Sequence, residues 1–313
     1  MNFGLSYQGS KNKLAGRIVE HLPSAGTFID LFSGGCAVTH AALLAGRWDR
    51  YVANDMQAIV PQCFRDAVAG RYANETRWID RETFSRLKAT DGYVRTCWSF
   101  GGNGEDYLYS REREPWKKAL HYARVLRDFS LFREFGIETD GSRLDIKRHH
   151  AEYKAKYLSW YISQFGPQSL ERLQSLQRLQ SLESLERLQR LERLESLERL
   201  QSLQRLERLQ SLERLESSGL DYRDVEIPEG AVVYADPPYK GCRGYNGTTF
   251  DSEAFIEWCR TTPATVYISE YSMPADFYLV DEFSHRSTLS ATTNNAVIER
   301  LYCNKPPIRT TLF

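Results

Sequence analysis

The sequence predicts an α/β fold, an open sheet with helices on both faces, and three stretches of chain carry that expectation. Gly230-Ala231-Val232-Val233-Tyr234-Ala235-Asp236-Pro237-Pro238-Tyr239-Lys240 is an apolar run that stops at a carboxylate, two prolines and an aromatic. It reads as a buried strand delivering a polar cluster to its C-terminal edge, where open α/β sheets bind ligands. Thr27 to Val38 is a second apolar strand that passes through Ser33-Gly34-Gly35 into an alanine-rich helical stretch. Tyr51-Val52-Ala53-Asn54-Asp55 follows at βαβ distance and ends on an acid about 20 residues past the glycines.

Composition limits what this fold can do. At 313 residues the chain can bury a substantial core and form one large or two ordinary domains. Lys+Arg and Asp+Glu both total 41, so no overall field draws it to nucleic acid, and any such contact needs a local basic surface. Cys36, Cys63, Cys97, Cys242, Cys259 and Cys303 are scattered, without a CxxC or a His/Cys ligand spacing. They read as core thiols in a reducing compartment, and no metal site is expected. No apolar run approaches the roughly 20 residues of a membrane span and the first residues lack a secretory pattern, so the expected location is the cytoplasm.

Taken in order, Tyr7-Gln8-Gly9-Ser10-Lys11-Asn12-Lys13-Leu14 is a glycine-containing turn with two lysines, leading into a helix over 14–22. Such a turn offers N–H groups and a cation to an anionic group. The Gly34-Gly35 turn lets the backbone approach a ligand but lacks the third glycine of the dinucleotide fingerprint. Asp55 ends the second strand where such folds hold ribose hydroxyls, although it equally suits the cap of a helix over 57–69.

Residues 76–160 are polar and aromatic. Trp98, Asn103, Tyr109, Arg111, Arg113 and Lys117 combine stacking surfaces, base-edge donors and phosphate contacts, and Lys147-Arg148-His149-His150 adds cations. A solvated helical subdomain with ordinary surface charge would read the same way.

From Leu170 to Leu215 a leucine stands at every third position, spaced by Gln, Glu, Ser and Arg. In an α-helix successive leucines step back ~60°, so they wind round the helix and form no heptad seam. A 3₁₀-helix aligns them but rarely runs beyond 3–4 residues. Helix formers dominate, which favours α-helix over a stacked solenoid. At ~1.5 Å per residue the array spans roughly 70 Å, so it is expected to project from the core or fold back, and to pack on itself or on a second copy. Nine Arg and nine Glu cancel over Leu170–Glu216, so phosphate binding is not assigned to it.

Beyond the array, Asp221-Tyr222 precedes the 230–240 strand, Gly241 to Gly247 reads as a loop able to close over a substrate, and Thr265–Tyr271 and Ala296–Asn304 read as further strands.

Asp236-Pro237-Pro238-Tyr239 resembles the DPPY catalytic motif of amino-group DNA methyltransferases, which move a methyl from S-adenosylmethionine to N6 of adenine or N4 of cytosine. The Tyr7–Lys11 turn resembles the motif that holds the cofactor's methionine end in the adenine enzymes. Asp30-Leu31-Phe32-Ser33-Gly34-Gly35 resembles their FxGxG cofactor motif, with serine for its first glycine. Asp221-Tyr222 resembles the step lining the cofactor's adenine pocket.

The motifs stand in the order of the Dam-like, α-group enzymes of the D12 class, of the type carried by phages or mobile elements. These place a target-recognition region between the glycine motif and DPPY. The resemblance implies a Rossmann-like S-adenosylmethionine-dependent sheet formed by 1–75 and 218–313, a mainly helical recognition subdomain at 76–168, and an inserted leucine-rich repeat at 169–217. It implies adenine-N6 methylation of double-stranded DNA, with Tyr239 stacking on a flipped base and Asp236 and the Pro237 carbonyl accepting from its amino group. Cytosine-N4 methylation is the nearer alternative, disfavoured because those enzymes more often carry Ser where Asp236 stands. An inactive scaffold binding partners through the array is the other.

Overall fold

The computed structural model describes residues 3–166, 194–209, 212–238, 250–286 and 296–306. Its contacts divide the chain into two units, Met1–Ala73 with Leu203–Phe313, and Asn74–Ser202. The first opens with α1 (Ala15–His21), β1 (Ala25–Asp30), α2 (Ala37–Ala45), β2 (Trp48–Asn54) and α3 (Ile59–Val68). The second holds α4 (Arg81–Leu87), α5 (Gly92–Cys97), α6 (Glu114–His121), α7 (Ser130–Glu134), α8 (Arg143–Arg148) and α9 (His150–Phe165). Helix α10 (Glu195–Leu206) crosses the boundary in sequence. The first unit then continues with β3 (Leu215–Ser218), β4 (Val232–Ala235), α11 (Ser252–Thr261), β5 (Thr265–Glu270), β6 (Tyr278–Arg286) and β7 (Ala296–Cys303).

The described strands form one sheet in the order β3-β2-β1-β4-β5-β7-β6. The pairs from β3 to β5 are parallel, and β7 runs antiparallel to both β5 and β6. Side chains alternate between faces along a strand. On one face Ile29, Leu31, Val233, Ala235, Val266, Ile268 and Tyr302 pack with Phe255 and Cys259 of α11. The opposite face carries Phe28, Asp30, Tyr234 and Leu301, all buried. With both faces covered, β4 and the second half of β1 up to Asp30 read in sequence as apolar.

The leucine array is not a separate body along its described length. Leu194, Leu200, Leu203 and Leu206 are buried, and Leu215 begins β3, which pairs with β2 through Tyr51↔Leu215 and Asn54↔Ser218. The array's end also lies at the β3 edge, with β2 and β1 between it and β4, and not beside the strand that carries Asp236. A leucine stripe that winds round a helix cannot stay on one buried face, and α10 stops at Leu206, followed by 3₁₀ turns over Glu207–Leu209 and Leu212–Arg214. The earlier leucines, the 241–247 loop and Tyr239 lie outside the described residues.

Taken by itself, the second unit is built round an aromatic cluster. Trp78 stacks on Tyr109 at 5.8 Å and meets Trp98 edge-on at 4.8 Å. The N-terminal turn of α10 joins that cluster. Ser196 Oγ lies 3.1 Å from the Tyr109 hydroxyl, Glu195 pairs with Lys117 at 3.3 Å, and Arg199 donates to the carbonyls of Thr96, Cys97 and Ser99.

Candidate active site

A cleft at the C-terminal edge of the sheet's first unit is walled by Tyr7 to Lys11, Asp30, Phe32 to Gly35, Ala37, Val38, Tyr234 and Asp236 to Pro238. The register explains the gathering. Asp30 lies opposite Tyr234, so Asp236, two residues on, projects from the same face one step nearer the edge.

The glycines make room for the protein's own N-terminal segment. A Cβ on Gly35 would stand 2.6 Å from Tyr7 Cβ and 2.9 Å from the Leu5 carbonyl, and one on Gly34 would meet the Tyr7 ring at 2.8 Å. Leu5 N–H donates to the Gly35 carbonyl at 2.7 Å, and Gly4 N–H to His40 Nδ1 at 2.9 Å. Burial pushes the His40 pKa down to about 4, which keeps that nitrogen an acceptor. The sequence marks Ser33 as the departure from the glycine pattern, yet Ser33 has no positive φ. The left-handed backbone falls on Gly34 (φ 44°) and on Cys36 (φ 57°), which precedes α2.

Asp30 is a strongly perturbed acid of the cleft. One carboxylate oxygen accepts from Thr39 N–H at 3.1 Å and Thr39 Oγ1 at 2.7 Å, while Oδ1 is buried with no hydrogen-bond partner. Burial, opposed by the Thr39 hydrogen bonds and reinforced by Asp236 and Asp55, raises its pKa from 3.8 to about 7. An acceptor left unpaired beside a cleft suits a cation or another donor.

Lys11 bridges two acids. Its ammonium lies 2.8 Å from Asp236 Oδ1 and 3.0 Å from Glu299 Oε1, and all three side chains are largely buried. Burial works to lower the Lys11 pKa, but the two carboxylates outweigh it and the net shift is upward. Glu270, at the end of β5, has its pKa raised by burial and by Asp236. Lys11 was expected to serve the cofactor's methionine end; in the structure its ammonium is tied to Asp236.

Asp55, Asp221 and Tyr222 stand back from the cleft wall. Asp55 accepts from Gly34 N–H at 2.9 Å and Gln57 N–H at 2.8 Å, so it pins the glycine turn and the approach to α3. Tyr222 is buried against Phe32, Phe255 and Trp258 and backs the Phe32 ring without lining the cleft. Asp221 pairs with Arg223 at 2.7 Å.

The DNA candidates need larger correction. Trp98, Tyr109 and Lys117 are buried in the second unit's core, the last two against α10, so none offers a stacking or phosphate-binding surface. Burial, countered by Glu195, lowers the Lys117 pKa to about 8. Asn103 closes its own turn, accepting from Glu105 and Asp106 N–H and donating to the Asp106 carboxylate. Arg111 is exposed and Arg113 half-buried.

Sequence reasoning missed Glu299. It lies in the β7 strand the sequence does show, and only strand order reveals that this strand returns to the cleft. Among the described residues no group of three or more His, Cys, Asp and Glu is placed to hold a metal ion, and no helix is long and apolar enough to cross a membrane.

The model of the D12 class N6 adenine-specific DNA methyltransferase family matches residues 7–272, which include every cleft-lining residue. No curated protein matches the chain.

Proposed function

The chain belongs to the D12 class N6 adenine-specific DNA methyltransferase family, and on that premise we propose how its cleft carries the reaction. The enzyme methylates N6 of adenine in DNA with S-adenosylmethionine as donor, and neither cytosine-N4 transfer nor an inactive scaffold has support.

The residues present fit the cofactor. Asp30 Oδ1, buried and without a partner, is an acceptor for a cationic or hydroxyl-bearing ligand. The Tyr7 and Phe32 rings and the Gly34-Gly35 turn supply apolar wall and close backbone approach, and Asp55 keeps that turn in place from behind, with a ribose hydroxyl as its further partner. The bound cofactor supplies an electrophilic methyl.

The protein's own task is positioning. Pro237 and Pro238 have no N–H and restricted φ, so the chain after Asp236 is stiff and its carbonyls face no competition from its own donors. Asp236 and the Pro237 carbonyl accept hydrogen bonds from the adenine amino group, which aims the nitrogen lone pair at the methyl. The base has to leave the helix first, since its amino nitrogen is out of reach in the stack, and Tyr239 stacks on it. The duplex is held by the second unit, with Arg111 and Arg113 as its phosphate contacts, and any self-association runs through the leucine array.

The observation that carries this reading is the placement of Asp236, ion-paired to Lys11, on the same sheet face as the unpaired oxygen of Asp30. Asp236→Ala tests it. Transfer to adenine should fall by about 10³-fold or more while S-adenosylhomocysteine still binds within roughly tenfold of wild type. Full activity in Asp236→Ala would remove the catalytic assignment.

A further inference from the structure

Glu299 is a carboxylate at 4% exposure on a sheet strand, a placement that needs a partner to be tolerated. Its partner is Lys11, already paired with Asp236. Strand β7 runs antiparallel to β5, so its first residues return to the edge where β4 and β5 end. Asp236 continues β4 opposite Ser269, Ser269 pairs with Leu301, and Glu299 lies two residues beyond Leu301 on the same face.

We propose that Glu299 is a positioning residue for methyl transfer: it fixes the Lys11 ammonium and offsets its charge, leaving Asp236 an effective anionic acceptor for the adenine amino group. This rests on the role given to Asp236 above. One ammonium between one carboxylate and nothing else forms a neutral pair, and a carboxylate so neutralised accepts a further hydrogen bond weakly. One ammonium shared by two carboxylates leaves a net negative charge at the place where the attacking nitrogen becomes positive. A preorganised charge aimed at developing charge is what lowers a barrier. The triad also holds Asp236 in one orientation, because Lys11 is anchored from two strands at once.

A buried ion pair with a purely architectural role would use the same residues, so the test must separate charge placement from folding. The variants are Glu299→Gln, which keeps the shape, and Glu299→Asp, which keeps the charge, each made in the wild-type and the Lys11→Met backgrounds. The readouts are kcat at saturating donor and DNA, and S-adenosylhomocysteine affinity by calorimetry, since that ligand's neutral sulfur does not sense the charge. Glu299→Gln should lower kcat about tenfold or more and leave S-adenosylhomocysteine affinity within about twofold, and Glu299→Asp should recover part of the loss. In Lys11→Met, adding Glu299→Gln should change kcat by less than about twofold, because the ammonium through which Glu299 acts on Asp236 is gone.

The proposal is overturned if Glu299→Gln keeps kcat within twofold of wild type, loses ligand affinity in proportion to rate, or costs the same factor without Lys11. Asp236→Ala in the same assay separates the failures. If that variant is active the reading of Asp236 falls, and if it is inactive while Glu299→Gln is not, only the present inference falls.

Discussion

Asp30→Asn should make the ligand-free protein more stable and its cofactor binding worse. In the folded protein the Asp30 pKa is about 7 against 3.8 unperturbed, a difference of roughly 4 kcal/mol against the buried anion. The sign follows from proton counting. Between those values the native state holds a proton that the unfolded state has lost, so the favourable contribution is complete below about pH 4 and is lost as pH rises through 7. Asparagine removes the titration and keeps the shape. Its oxygen can take the place of Oδ2 and accept both Thr39 donors, while its NH₂ replaces the unpaired Oδ1.

With some relaxation in the native state, the gain at pH 8 should be about 1–3 kcal/mol, shrinking to nothing near pH 4. Chemical denaturation at both pH values measures it. S-adenosylhomocysteine affinity should fall about tenfold or more, since an acceptor has become a donor. An Asp30→Asn protein that gains nothing at pH 8, or that binds the ligand as before, would refute the assignment of a strained acid that trades stability for binding.

Other expectations follow from the contacts. Gly35→Ala forces a methyl to within 2.6 Å of Tyr7 Cβ and should cost about 1–3 kcal/mol together with much of the ligand affinity, while Gly26→Ala, which meets nothing within 4 Å, should be near neutral in the same thermal and calorimetric assays. Because Lys117 is buried against Glu195, Lys117→Met should leave DNA affinity and its salt dependence unchanged. Arg111→Ala should weaken DNA binding uniformly across sequences and lower the salt slope by about one; equal effects from the two variants in a salt titration would contradict the exchange of roles.

The central strands were legible because a parallel sheet buried on both faces writes them as continuous apolar runs, and the cleft residues were legible where a polar group ends such a run, as Asp30 and Asp236 do. Strand β3 was hidden because its first residues belong to the leucine array, whose period suits helix and strand equally poorly. Strand β6 was hidden by its edge position, where Tyr278 and Leu279 are exposed and charge interrupts the pattern. Glu299 reaches the site only through strand order, a long-range property that local sequence does not carry.

The aromatics of the second unit misled for a different reason. Trp98, Tyr109 and Lys117 have the composition of a nucleic-acid surface and the environment of a core, and burial depends on the α10 partner far along the chain. Family motifs led to the cleft residues, while the geometry adds contacts within the protein for Lys11 and the glycines.

The role of Asp236 in adenine methylation is tested most directly by long-read modification mapping of DNA from cells expressing the wild-type protein or Asp236→Ala, in a host without methylation of its own. N6-methyladenine should appear at one short recurring sequence with the wild type and not at all with Asp236→Ala. N4-methylcytosine, or N6-methyladenine that persists in the variant, would contradict it.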